Sequence, residues 1–229
     1  MFGSLKNGPS ATERNRKKCQ KKFLYYFKKG FADPKYVSWE RGYKEAAHQQ
    51  FHDLLNRDLF RSLLKKKNYA EIAATAIKIE SKTNLLFSFE KMALRDAVRL
   101  PKGAKAFSEG LYEYIYGDKS LQERFNDFVE VVEMLPRKQT RVLTWPVVTV
   151  FGFIGNPEEH IYLKPTVTKI AAAKYDYPFQ YRSRPNWDTY SDLLRFADLI
   201  RTDNASLHPK DFIDLQSFIW VMGSQEYPD

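Results

Sequence analysis

Glu45, His48 and His52 have the residue types of a metal site, at a spacing that one helix face provides. Two imidazoles at i and i+4 can hold one metal ion, and Glu-x-x-His is half of a di-metal bundle site. The pattern is incomplete. A zincin carries Glu directly after its first His, whereas Gln49 stands there, and the chain has no second Glu-x-x-His. The competing reading is a pair of histidines at the surface or between helices. Glu80-Ser81-Lys82 is the Glu-x-Lys half of a nuclease motif, in which carboxylates hold Mg²⁺ and the lysine meets a phosphate. That motif needs a preceding strand carrying Asp, and here the tripeptide follows a helical pattern.

Leu163-Lys164-Pro165-Thr166-Val167-Thr168-Lys169 places lysines and a proline at a helix start, where free N–H groups attract anions. Without a ligand it reads as a helix cap with proline in the first turn. Asp211, Asp214 and Ser217 share one face of an apolar final helix, with Gln216 nearby. Buried polar groups need partners; Arg182 and Arg184 are the expected ones, forming a polar pocket or an internal network. No Gly-x-Ser-x-Gly, P-loop, Gly-x-Gly-x-x-Gly or Cys-x-x-Cys is present. No catalytic residue or cofactor follows from the residues, and enzymatic activity stays open.

The strongest binding feature is a charge asymmetry. Residues 1–40 hold ten basic and three acidic residues, and the remaining chain holds 27 and 25, within an overall net charge of +9. Arg14, Arg16, Lys17, Lys18, Lys21, Lys22, Lys28 and Lys29 fall on one predicted amphipathic helix whose other face carries Cys19, Phe23 and Phe27. Such lysines neutralise phosphates, and Tyr25 and Tyr26 could stack on bases. The expected partner is nucleic acid, with a protein partner or a second copy as the alternative if the apolar face docks outward. A solvated charged face needs no partner at all.

The elements that must position these residues are mostly helices. Residues 1–10 read as a leader and 11–229 as one domain, of which 11–35 form the basic N-terminal element. Periodicity predicts helices over about 12–29, 36–55, 59–66, 69–79, 84–98, 104–116 and 120–134. Pro101-Lys102-Gly103 reads as a loop. The apolar run 142–154 leans to a buried helix with Pro146 in its first turn. Further helices are predicted over 165–174, 187–201 and 209–222. His160–Lys164 and Phe179–Arg182 read as short strands that pair. The expected fold class is therefore mainly α, with a small two-stranded element in the C-terminal third.

One cysteine excludes an internal disulfide and points to a reducing compartment, and no apolar run is long enough to span a bilayer. The expected location is cytoplasmic. Six strings stand out together: Trp39-Glu40-Arg41-Gly42-Tyr43-Lys44, Thr83-Asn84-Leu85-Leu86-Phe87-Ser88-Phe89-Glu90-Lys91, Thr144-Trp145-Pro146, Leu163-Lys164-Pro165, Arg184-Pro185-Asn186-Trp187 and Asp214-Leu215-Gln216-Ser217-Phe218-Ile219-Trp220-Val221. With them the chain resembles a group of uncharacterised bacterial proteins of about this length, from residue 20 on. The resemblance implies a stand-alone bacterial protein of single-domain architecture. It supplies no activity and no site residue.

Overall fold

The computed structural model describes residues 10–137 and 141–229, and every regular element among them is helical. The predicted leader, apart from Ser10, lies outside the described residues. Ser10 opens α1 (Ala11–Tyr26) through a capping box with Glu13. Lys28 and Lys29 follow the helix rather than closing it, and Gly30 takes the left-handed φ of +59° in the turn beyond.

Asp33 then caps a continuous helical stretch in three parts: α2 (Pro34–Tyr36), a π-turn (Val37–Arg41) and α3 (Gly42–Leu55). Gly42 donates its N–H to the Val37 carbonyl, and a Cβ at Gly42 would lie 2.9 Å from that oxygen. Only glycine closes the widened turn without a shift. Next come α4 (Arg57–Lys65), α5 (Tyr69–Ser81), α6 (Ser88–Arg99), α7 (Pro101–Tyr116) and α8 (Leu121–Met134). The predicted loop at Pro101–Gly103 is the first turn of α7, since Pro101 loses no intrahelical bond there.

The apolar run forms α9 (Trp145–Gly155), capped by Thr144 and buried along nearly its whole length. It packs against α3, α5, α7 and α8, so a helix that is apolar all round lies at the centre. Then follow α10 (Pro165–Lys174), α11 (Trp187–Asp203) and α12 (Phe212–Gly223). α10 and α12 share the most extensive helix contact, and α1 lies on both. A Cβ at Gly223 would stand 2.0 Å from the Val167 carbonyl, so glycine permits this approach.

The two predicted strands are a correction. Neither segment forms a strand, and the two do not pair. The Ile161 N–H donates to the Tyr190 hydroxyl and the Leu163 N–H to the Thr149 hydroxyl. The Gln180 N–H donates to Asp192, the Arg182 N–H to the Thr189 hydroxyl, and that hydroxyl donates to the Gln180 carbonyl. Helix side chains thus take the backbone groups a ladder would use. Among the described residues no helix is long and apolar enough to cross a membrane.

Candidate functional site

The predicted sites separate once folded. Glu45 accepts from Arg41 at 3.1 Å, His48 Nδ1 donates to the Ile154 carbonyl at 2.8 Å, and His52 is exposed. Among the described residues no three His, Cys, Asp or Glu side chains gather to hold a metal ion. Glu80 is buried, where it accepts the Leu86 N–H and meets the Lys91 ammonium at 3.5 Å. Burial raises its pKa. It braces the turn between α5 and α6.

On α1, Phe23 and Phe27 are fully buried, so the helix is part of the core. Cys19 is buried too, and desolvation lifts its thiol to about 11, the opposite of a reactive thiolate. Lys22 pairs with Asp229 at 2.7 Å, and Arg16 with Asp203 at 3.4 Å. Arg14, Lys17, Lys18, Lys21, Lys28 and Lys29 are exposed, as is Tyr25.

Asp211 and Asp214 are buried together, but their partner is Arg41 rather than Arg182 or Arg184. Arg182 lies 3.8 Å from Asp188 and Arg184 2.7 Å from Glu133, both exposed at the surface. Arg41 Nη1 reaches Asp211 at 2.9 Å and Asp214 at 2.8 Å, and Nη2 reaches Asp211 at 2.7 Å. The Tyr36 hydroxyl also donates to Asp214. Beside this pair, Lys44 donates to Glu40 at 3.2 Å and to the Ser217 hydroxyl at 2.8 Å, while Tyr227 donates to Glu40 at 2.6 Å. Sequence reasoning missed Glu40, Arg41 and Lys44 because charged residues in a helical pattern read as surface. Glu40 and Arg41 lie in the π-turn and Lys44 just beyond it on α3, and all three are buried.

A cleft of about 970 Å³ is bounded by the π-turn, the α6 N-terminus, the segment entering α9, the α10 N-terminus and α12. Five of the six strings noted in the sequence supply its wall, including Trp39, Phe87, Trp145, Lys164 and Trp220. Eight of its lining residues are aromatic. Phe87 and Phe89 stack at 5.6 Å on the rim, about half exposed, and Trp39 on the π-turn is also about half exposed. Deeper in, Tyr162 donates its hydroxyl to the Leu85 carbonyl at 2.6 Å. Trp145 donates its indole N–H to the Arg182 carbonyl at 2.8 Å.

The cleft's polar groups fall into two kinds. Glu90 is spoken for: it accepts the Phe87 N–H at 3.0 Å and the Thr144 hydroxyl at 2.8 Å. Glu40 is held by Lys44 and Tyr227. Gln216 differs. It is 3% exposed, it lines the cleft, and its Oε1 has no hydrogen-bond partner. An unmatched buried amide oxygen costs about 1–3 kcal/mol. The arrangement offers stacking faces, a buried acceptor and the Lys164 ammonium in one concave space. That is the composition of a small-molecule site. Comparison of the chain with protein-family models, curated proteins and solved structures finds no match.

Proposed function

We propose that this protein binds a planar, N–H-bearing small molecule in the aromatic cleft. The observation that carries this reading is Gln216: a buried acceptor without a donor, on the wall of a cavity large enough for a ligand. A ligand N–H supplies the missing donor, and the aromatic wall supplies stacking worth about 0.5–1.5 kcal/mol per ring pair. Three of the four tryptophans, Trp39, Trp145 and Trp220, line the cleft, so occupancy changes intrinsic fluorescence. Titration with adenosine, followed by that fluorescence, and with indole, followed by calorimetry, tests it. Saturable binding that weakens in Gln216→Leu is expected. No binding of either probe at millimolar concentration overturns the reading.

A second reading keeps nucleic acid as a partner of α1, favoured by the exposed lysines Lys17, Lys18 and Lys21 beside exposed Tyr25. Truncating α1 cannot test it, because Phe23 and Phe27 are core residues. Charge substitution can. Labelled single-stranded DNA and RNA should bind at low salt, and Lys17→Gln with Lys21→Gln should flatten the salt dependence by up to about one logarithmic unit per lost phosphate contact. Binding that is absent at low salt removes this reading.

A further inference from the structure

We propose that the cleft's ligand carries an anionic group, a carboxylate or a phosphate, seated on the N-terminus of α10 and the ammonium of Lys164. The inference rests on the cleft being a ligand site.

Lys164 is the N-cap of α10, and its side chain makes no capping bond. Pro165 has no N–H to offer, and the N–H groups of Thr166 and Val167 find no partner among the described residues. α10 is ten residues long, so its first turn carries the positive end of a full set of aligned peptide dipoles. An anion at this position would meet free donors and a favourable field together.

The Lys164 ammonium is itself short of a counter-charge. It lies 3.4 Å from the Leu85 carbonyl, 4.1 Å from the centre of the Phe87 ring and 5.3 Å from that of Trp220. Among the described residues no carboxylate forms an ion pair with it; Glu90 and Glu226 act on it only from farther off. Partial burial lowers its pKa, as expected of a cation whose lost hydration is incompletely replaced.

The second, independent observation is the unpartnered oxygen of Gln216 on the same wall. Gln216, Trp220 and Gly223 fall at i, i+4 and i+7 on α12, and Gly223 touches the Val167 carbonyl at the α10 start. With 1.5 Å of rise per residue, Gln216 lies about 10 Å along α12 from that contact. The ligand therefore has an N–H donor at one end, a ring across Trp220, and its negative group about 10 Å away. Glu40 is paired with Lys44, whereas Glu90 meets only neutral donors, the Phe87 N–H and the Thr144 hydroxyl, so its carboxylate works against the anion. Glu226 is exposed at the mouth and works against it.

Calorimetric titration of the full chain with matched pairs tests the inference: adenosine against adenosine monophosphate, and indole against indole-3-acetate. At least one anion should bind about tenfold or more tightly than its neutral counterpart, the gain of a charge-assisted contact. A gain confined to the nucleotide assigns phosphate, and one confined to the acetate assigns carboxylate. The gain should shrink at high salt and in Lys164→Gln, and it should grow in Glu226→Gln. Neutral probes that bind while neither anion gains overturn the inference and leave the cleft reading standing. If no probe binds, both fall. Should Lys164→Gln fail to fold, the salt dependence of the unaltered chain decides.

Discussion

Opposite sides of α12 carry polar groups in opposite states. Asp211, Asp214 and Ser217 face the π-turn, where Arg41, Tyr36 and Lys44 occupy their oxygens; of the Arg41 guanidinium only Nε lacks a partner. Gln216 and Trp220 face the cleft, where an amide oxygen waits and a cation sits over a ring. The first side is closed chemistry that fixes how the π-turn seats on the helix. The second is open. Burial alone does not separate them, since Asp214 and Gln216 are both nearly inaccessible. What separates them is whether the fold completes the hydrogen bonds.

The widest way to break this contrast is Arg41→Met. It leaves two buried carboxylates without a counter-charge and should cost about 3–5 kcal/mol in urea unfolding. A loss below about 1 kcal/mol would mean the network is not closed. Gly223→Ala presses a methyl group into the Val167 carbonyl and should cost about 1–3 kcal/mol by the same measurement.

His160 supplies a pH test. Its ring is fully buried against Tyr114, with both nitrogens unpartnered, and desolvation followed by the nearby Arg124 charge lowers its pKa to about 3. Its 3.5 Å approach to Glu159 is therefore no ion pair at neutral pH. The unfolded imidazole takes a proton below its ordinary 6.5, and the folded one does not until about 3. Stability should accordingly fall as pH drops through that window, by up to about 1.4 kcal/mol per pH unit from this group. His160→Gln should reduce the slope of unfolding free energy against pH. An unchanged slope would remove the histidine from the acid response.

The smallest loss belongs to the open side. Gln216→Leu should cost no stability and should raise it by at most about 1–3 kcal/mol, because it deletes an unmatched oxygen rather than a bond. A large loss would show that Gln216 is structural and would merge the two faces of α12 into one class.

Much of the helical architecture was legible from spacing. The stripe Ile72, Ala73, Ala76, Ile79 and the position of Pro146 in the first turn of α9 are local signals, and local signals suffice for helices. The false strands show where such signals stop. HIYLK forms no strand: the His160 N–H closes a turn on the Asn156 carbonyl, and the Ile161 and Leu163 N–H groups go to Tyr190 and Thr149, distant side chains that no window contains. The site was legible in pieces. Lys164 was marked as a helix-start cation and Gln216 as a neighbour of Asp214. Their convergence, and the pairing of Arg41 with acids 170 and 173 residues away, depends on tertiary packing alone.

The seating of α1 on α10 and α12 bears on the order of events during synthesis. Phe23 packs on Phe218 in a tilted ring pair, and Glu40 takes its bond from Tyr227, 187 residues later. Phe23 and Phe27 thus leave the ribosome long before the surfaces that bury them exist. Until α12 follows, an apolar stripe flanked by lysines stays open to other chains, and closing so distant a contact is slow.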